Sequence, residues 1–290
     1  MNNKFIESNM NIEKVYSLRP KYNDEGEFDR ELSPPLPKKI IQESPLKSRD
    51  LIIYKYLILD RNRFENTKLE IFRKQSEEIH DVEKVNYEGL WCVSSRFKNF
   101  VENNQLSGLD FFPVKVGEER RYLMMWRGLS VISDYEVDIK KSRYWGEEKN
   151  KLDLSKVTYR SDVIEHYNNK IFSNTVHFDI YITDELKDLF EEKGFAFTYD
   201  EIQVTQKRYS KRKVKKIILN AVKEGQKLYY TQWRKDRLQE TDDFLEKVLI
   251  EEGNEEVLEK FRTEMKGKWK DQFDRYERGE MPDDERVIYW

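Results

Sequence analysis

The same order of polar and apolar residues occurs twice along the chain, 89 positions apart. The two stretches are Val93–Glu102 (VSSRFKNFVE) and Ile182–Glu191 (ITDELKDLFE). Each follows a short apolar run and opens with small polar residues, which accept hydrogen bonds from the free N–H groups of a first helical turn. These candidate caps are Ser94, Ser95, Thr183 and Asp184. The pattern therefore predicts a helix directly after a strand at both places.

The apolar positions of both stretches have the spacing of a helix with one buried face. The matched pairs are Phe97 with Leu186, Phe100 with Leu189, Val101 with Phe190, Lys98 with Lys187, and Glu102 with Glu191. Each predicted helix ends near a glycine and is followed by a second strand-like segment. The sequence thus predicts two related strand–helix–strand units, 88–116 and 178–204, which arose by duplication or share a packing role.

Strand patterns outnumber helix patterns up to residue 205. The further predicted strands are Leu51–Leu59, which is β-branched and aromatic, Lys68–Phe72, which alternates, and a pair, Arg121–Trp126 and Ser130–Val137, turning at Arg127–Gly128. With only two clear helices among them, these strands predict an α+β fold with a mixed or antiparallel sheet.

After residue 205 the pattern becomes helical, with apolar residues at spacings of three and four. Three helices are predicted, Tyr209–Lys223, Lys227–Ile250 and Glu255–Arg278, and Trp233 is placed on the apolar face of the second. Five of the seven prolines lie between Pro20 and Pro45, a composition typical of an extended segment. The predicted division is a Pro-rich lead-in at 1–50, an α+β domain at 51–205 and a helical appendage at 206–290.

Composition narrows the class of protein. The formal net charge is only −3, which by itself predicts neither nucleic-acid nor membrane binding. The single cysteine, Cys92, lies in an apolar run and is expected to be a buried, inert thiol. The N-terminus lacks the apolar run of a signal peptide, and no segment approaches the length of a membrane helix. We expect a cytoplasmic protein. The sequence does not predict its oligomeric state.

Catalytic, metal and cofactor signatures are missing from the sequence. No two glycines have the Gly-x-Gly spacing of a phosphate-binding loop. The histidines, His80, His166 and His177, are far apart, and none belongs to a zinc-binding pattern. A serine nucleophile elbow is also missing. We therefore expect no enzyme, no metal and no cofactor.

Two charged segments remain as candidate binding sites. The basic segment holds seven cations in positions 207–216, with Lys211, Arg212, Lys213 and Lys215 at its centre, and could grip phosphates or be the solvated face of a helix. The acidic segment surrounds Gly253 and could steer a basic partner or be a solvated hairpin tip. Its candidate residues are Asp242, Asp243, Glu246, Glu251, Glu252, Glu255 and Glu256.

The repeated motif resembles the immunity proteins of bacterial polymorphic toxin systems, families eleven and forty-three. Leu109–Val114 (LDFFPV) resembles the family ending Gly-Leu-x-Phe-x-Pro-Val, with Gly108 displaced by one residue of spacing. Val131–Tyr144 is similar to a family stretch of strand, Asp and Lys-Ser-x-Tyr, and Pro35–Ile40 to a Leu-Pro-Lys lead-in. The resemblance covers residues 34 to 205 in patches, and none of its motifs is catalytic.

The resemblance implies a cytoplasmic immunity protein for bacterial competition, which masks a cognate toxin domain through protein–protein contact and without catalysis. The acidic segment is the expected docking site on this interpretation. A nucleic-acid-associated protein that uses the basic segment is the alternative, and we expect nucleic acid to be the less favoured partner.

Overall fold

The chain has an α+β fold with a C-terminal helical segment, as the sequence predicts. The computed structural model describes residues 12–20, 32–33, 39–40, 43–44, 49–66, 68–71, 80–84, 90–106, 108–126, 144–145, 151–152, 158–162, 164, 171–173, 180–205, 209–210, 212–214, 216 and 230–280. None of the helices in these ranges has the length and apolar character needed to cross a membrane.

The described strands and helices are numbered separately, each set in chain order. The strands are β1 (Val15–Pro20), β2 (Leu32–Ser33), β3 (Lys68–Ile71), β4 (Val82–Lys84), β5 (Leu90–Ser94), β6 (Leu109–Val116), β7 (Glu119–Trp126), β8 (Tyr144–Trp145), β9 (Lys151–Leu152), β10 (Thr158–Arg160), β11 (Ile171–Ser173), β12 (Ile180–Thr183) and β13 (Phe197–Thr205). The helices are α1 (Arg49–Leu59), α2 (Arg61–Asn66), α3 (Ser95–Asn103), α4 (Asp184–Glu192), α5 (Gln232–Glu252), α6 (Glu255–Glu264) and α7 (Trp269–Glu277).

Contacts divide the chain into two compact units, each assembled from two separate segments. Unit 1 comprises residues 1–19 and 129–223, and unit 2 comprises residues 20–128 and 224–290. The units are distributed along the chain differently from the predicted segments 1–50, 51–205 and 206–290. The C-terminal helices belong to unit 2, and the first strand of the predicted lead-in belongs to unit 1.

Unit 2 is built on a six-stranded sheet in the order β2-β3-β6-β7-β5-β4. Helix α3 packs against β5 and β7 through buried Phe97 and Val101. The alternate residues of the strands, Cys92, Phe112 and Leu123 among them, share a buried cluster with side chains of α1, α5 and α6. Since side chains alternate between the faces of a sheet, helices cover both faces of this sheet.

Unit 1 is built on a five-stranded sheet in the order β10-β13-β1-β12-β11. Its helix α4 buries Leu186 and Phe190. A second cluster, formed by Ile12, Val15, Tyr159, Ile164 and Tyr181, has Ile202 and Val204 of β13 packed against it. The N-terminal strand β1 therefore lies in the middle of a sheet, where the sequence predicted an extended lead-in over the surface.

The two sheets share one arrangement, which extends the predicted repeat to the whole sheet. In unit 2, β5, α3 and β6 form a strand–helix–strand unit with β7 between the strands, β4 outside β5 and β3 outside β6. In unit 1, β12, α4 and β13 have β1 between the strands, β11 outside β12 and β10 outside β13. Strand β3 pairs in parallel with β6, and the corresponding strand β10 pairs in parallel with β13.

The registers of the two sheets agree where the central strand pairs with the first strand of the repeated unit. Tyr122 of β7 lies opposite Val93 of β5, and Tyr16 of β1 lies opposite Ile182 of β12. Val93 and Ile182 are 89 positions apart, which is the offset of the sequence repeat. The chain order differs, however: β7 follows β6 through a short hairpin, whereas β1 precedes every other strand of its sheet. Unit 1 is thus a permuted copy of the arrangement in unit 2.

The helices of the repeat also match in their side-chain contacts. Phe97 and Leu186 are 1% and 0% exposed, which confirms that both units bury the same helix face. The Lys98 ammonium pairs with Glu102 at 2.6 Å and lies 5.2 Å from the centroid of the Tyr122 ring. Its counterpart Lys187 pairs with Glu191 at 2.7 Å and lies 5.4 Å from the Tyr16 ring.

The predicted strand at Leu51–Leu59 is wrong, because the structure has helix α1 there. Its buried residues Ile52, Ile53, Tyr56 and Leu57 recur at helical spacing and join the core of unit 2. The β-branched composition favours a strand only weakly, and packing against α5 and α6 overrides that preference.

The predicted helix Glu255–Arg278 is divided into α6 and α7. The interruption contains Gly267, whose φ of 71° is left-handed and therefore ends a right-handed helix.

Strand Glu119–Trp126 pairs with β5 and β6. Its predicted partner Ser130–Val137 and the turn Arg127–Gly128 lie outside the described residues, as does most of the predicted helix Tyr209–Lys223.

Candidate protein-binding site

The acidic segment forms the turn between α5 and α6, and its local sequence explains the turn. Gly253 ends α5 with a φ of 68°, a left-handed conformation that glycine adopts without strain. Asn254 caps α6 by accepting a hydrogen bond from the Val257 N–H at 3.2 Å. Glu255 and Glu256 occupy the first turn of α6, where the helix dipole stabilises negative charge.

Asp242 does not lie on this surface, contrary to the sequence prediction. It is 1% exposed and pairs with the Lys55 ammonium of α1 at 2.5 Å. Its other carboxylate oxygen accepts hydrogen bonds from the Gly267 N–H at 2.8 Å and from Trp269 Nε1 at 2.9 Å. Asp242 thus joins α5 to α1 and to the start of α7, and we remove it from the candidate docking residues.

Three further predicted acids have partners within unit 2. Glu246 bonds to Lys266 and, at 2.7 Å, to Arg262, and these hydrogen bonds hold the pKa of Glu246 below its ordinary value. Glu251 bonds to Lys39, which also lowers the pKa of the Glu251 carboxyl. Glu252 accepts a hydrogen bond from the Tyr56 hydroxyl at 2.7 Å.

Asp243, Glu255 and Glu256 are exposed, and no ion pair to them occurs within the described part of the chain. Asp243 accepts a hydrogen bond from the neutral Gln239 amide at 2.9 Å, which leaves its charge uncompensated. These three carboxylates are therefore the exposed acids of the predicted site that have no ion pair among the described residues.

Sequence reasoning missed two exposed apolar residues of α5, the helix that carries Asp243. Ile250 is 54% exposed, and Trp233, which the sequence placed on the buried face of its helix, is 51% exposed. The buried face of α5 is formed by Leu238, Thr241, Asp242, Leu245, Val248 and Leu249. At about 100° per residue, Trp233 and Ile250 both fall well off that face. A helical wheel on which only the strongest apolar stripe is assigned to the core would have placed Trp233 and Ile250 outside that stripe.

The basic segment is described only in part. Arg212 and Lys213 are exposed, whereas Lys211 and Lys215 lie outside the described residues. The Lys213 ammonium is 3.8 Å from the centroid of the Tyr209 ring, and the Arg160 guanidinium is 4.7 Å from it. The Tyr209 ring, which lies within this segment, is thus already in contact with two cations of the same unit.

The residues considered for chemistry are dispersed. Among the described residues, no group of three His, Cys, Asp or Glu side chains is placed to hold a metal ion. Cys92 is buried, as predicted, and His80 contributes its backbone carbonyl to the buried Arg121 guanidinium at 2.6 Å. His166 and His177 lie outside the described ranges.

A groove of about 230 Å³ lies between α2 and the β6–β7 hairpin of unit 2. Its charged residues are paired with one another, Arg120 with Glu65 at 2.7 Å and Lys115 with Glu118 at 3.4 Å. These pairs leave no excess charge to select a ligand, so the exposed face near the α5–α6 turn is the stronger candidate site.

The chain matches no protein-family model, and no curated protein matches it.

Proposed function

We propose that this chain is an immunity protein that acts in the cytoplasm, where it binds a basic toxin domain and masks it without catalysis. The observation that carries the proposal is the set of three exposed acids on α5 and α6, Asp243, Glu255 and Glu256, with exposed Ile250 about two helical turns after Asp243 on the same side of α5. Complementary charge accelerates association, and an apolar centre with a polar rim is typical of protein interfaces.

The rigid support of this surface also favours a binding role. Buried Leu245, Val248 and Leu249 fix α5 against the core of unit 2, and Asp242 joins it to α1 and α7. A pre-organised surface loses little conformational entropy on binding, which increases the affinity obtained from a given contact area.

The first test asks whether a toxin partner exists. The tagged full-length chain should retain one protein in stoichiometric amount from its native host, and this protein should stop bacterial growth when it is produced alone. Co-production of the chain should restore growth. A captured protein that has no effect on growth, or whose toxicity persists in the complex, would refute the immunity proposal.

The second test separates a basic protein partner from a nucleic acid. Reversal of Asp243, Glu255 and Glu256 to Lys should slow association with the captured protein, most strongly at low salt, because exposed charges act mainly through steering. A control with the same change in net charge reverses Glu264, Asp271 and Asp274, which are exposed on α6 and α7. If duplex binding instead falls when Lys211, Arg212, Lys213 and Lys215 are neutralised, the nucleic-acid alternative replaces the proposal.

A further inference from the structure

The two large apolar side chains that are exposed in the described part of the chain, Trp233 and Ile250, both belong to α5. They are 17 positions apart, which corresponds to about 26 Å along the helix axis at 1.5 Å per residue. A single exposed apolar side chain is ordinary on a protein surface. What distinguishes α5 is that it carries both of these residues, with acids between them.

The angular positions of these residues define a single strip. At about 100° per residue, Trp233 and Ile250 are separated by about 100° around the helix. Asp236, Glu240, Asp243 and Lys247 fall between them on the same projection, and all four are exposed. The buried residues of α5 occupy the other side of the helix. We call the strip from Trp233 through Asp236, Glu240, Asp243 and Lys247 to Ile250 the α5 ridge.

Between its two apolar ends the α5 ridge carries three acids, Asp236, Glu240 and Asp243, and one cation, Lys247, so its net charge is negative. Asp236 and Asp243 accept hydrogen bonds from the neutral amides of Gln232 and Gln239 at 2.7 and 2.9 Å. Amide donors orient these carboxylates and leave their charge in place. Glu240 pairs with Arg237 at 2.6 Å, and the Arg237 guanidinium lies 5.8 Å from the centroid of the Trp233 ring. The Trp233 ring therefore has a cation beside it.

We propose that the α5 ridge is the docking surface for the toxin domain, with Trp233 and Ile250 as its two apolar anchors. This inference rests on the proposed function. The partner surface has two apolar recesses about 26 Å apart, a larger one for the indole and a smaller one for the isoleucine, with Lys or Arg side chains between them. The acids orient and accelerate the encounter, and the anchors determine how long the complex lasts.

The test measures association and dissociation rates of the purified full-length chain with the toxin captured from the native host. Trp233→Ala and Ile250→Ala should each raise Kd at least about 30-fold, mainly through faster dissociation. Asp236→Lys with Asp243→Lys should instead slow association at low salt. Gln272→Ala, at an exposed position of α7, is the matched control and should leave both rates unchanged.

The outcomes distinguish this inference from the proposed function. If the wild-type chain binds the toxin and both anchor variants keep Kd within about twofold of the wild type, the α5 ridge is not the docking surface, although the immunity function stands. If the wild-type chain binds no toxin, the proposed function fails and the ridge fails with it. Unchanged circular dichroism and thermal unfolding of the variants exclude misfolding as the cause of a lost affinity.

Discussion

At the scale of residues, neighbouring positions with the same side chain have opposite roles. Asp242 is 1% exposed and has three partners, Lys55, Gly267 and Trp269. Asp243 is exposed and bonds only to Gln239 among the contacts described. Two consecutive aspartates in the sequence give no sign of this difference, because the partners of Asp242 come from α1, from the interruption before α7 and from the start of α7. The burial of a carboxylate depends on distant parts of the chain.

We expect Asp242→Ala to destabilise unit 2 by about 3–5 kcal/mol, the cost of leaving one member of a buried ion pair alone. The Lys55 side chain is only 11% exposed, so its ammonium cannot recover hydration without local unfolding. Asp243→Ala should change the free energy of unfolding by less than about 0.5 kcal/mol, as is usual for an exposed position. Urea unfolding followed by tryptophan fluorescence measures both.

A double variant tests whether the ion pair is the cause. Adding Lys55→Met to Asp242→Ala removes the uncompensated cation and should restore part of the lost stability. If Asp242→Ala is as stable as the wild type, the carboxylate does not hold α5 to α1 as the structure indicates.

At the scale of elements, the repeated helices were predictable because their signals are local. Cap residue, apolar spacing and closing glycine all lie within one short stretch, so the sequence located α3 and α4 and their buried faces. Helix α1 was not predictable in the same way, because its burial against α5 and α6 depends on residues nearly 200 positions away. The sequence placed the acidic turn correctly, but it could not show which of its acids are already bonded.

The two helix caps differ in a way that the sequence does not reveal. The Ser94 hydroxyl accepts a hydrogen bond from the Phe97 N–H at 3.1 Å. Thr183 occupies the equivalent place before α4 but makes no side-chain cap bond. Its buried hydroxyl has no hydrogen-bond partner among the described residues.

Ser94→Ala should therefore cost about 1 kcal/mol, the usual loss for a helix cap, whereas Thr183→Val should be neutral or stabilising. Valine keeps the shape of threonine and removes a buried hydroxyl that gains no hydrogen bond. Ser95→Ala, at an exposed site beside the cap, serves as the control. Thermal unfolding of the three variants checks the order, and equal losses for Ser94→Ala and Thr183→Val would contradict it.

At the scale of the whole molecule, the same sheet is completed in two ways. The central strand β7 of unit 2 is joined to β6 by a two-residue turn that contains Gly117, with a φ of 59°. The central strand β1 of unit 1 is separated from the rest of its sheet by the whole first segment of unit 2. Unit 1 cannot complete its sheet until distant parts of the chain meet, which raises the entropic cost of closing it.

This arrangement predicts that deletion of residues 1–20 unfolds unit 1 and spares unit 2. Strand β1 buries Val15 and Leu18 at 0% and 3% exposure and lies between β12 and β13. Its removal opens an apolar gap and leaves the facing backbone groups of two strands without partners, which is costly in a buried sheet. Amide hydrogen exchange should show lost protection in β12 and β13 and retained protection in β5, β6 and β7.

Adding the missing strand back as a peptide distinguishes the loss of β1 from unspecific unfolding of the shortened chain. A synthetic peptide of residues 12–20 should restore protection in β12 and β13 when it is added to the shortened chain, because it supplies the missing ladder and the buried side chains. A peptide in which Val15 and Leu18 are replaced by Asp should fail, since it would place charges in the apolar gap. Retained protection of β12 and β13 in the shortened chain would mean that β1 is not an integral strand of unit 1. The permuted relation between the two sheets would then be wrong.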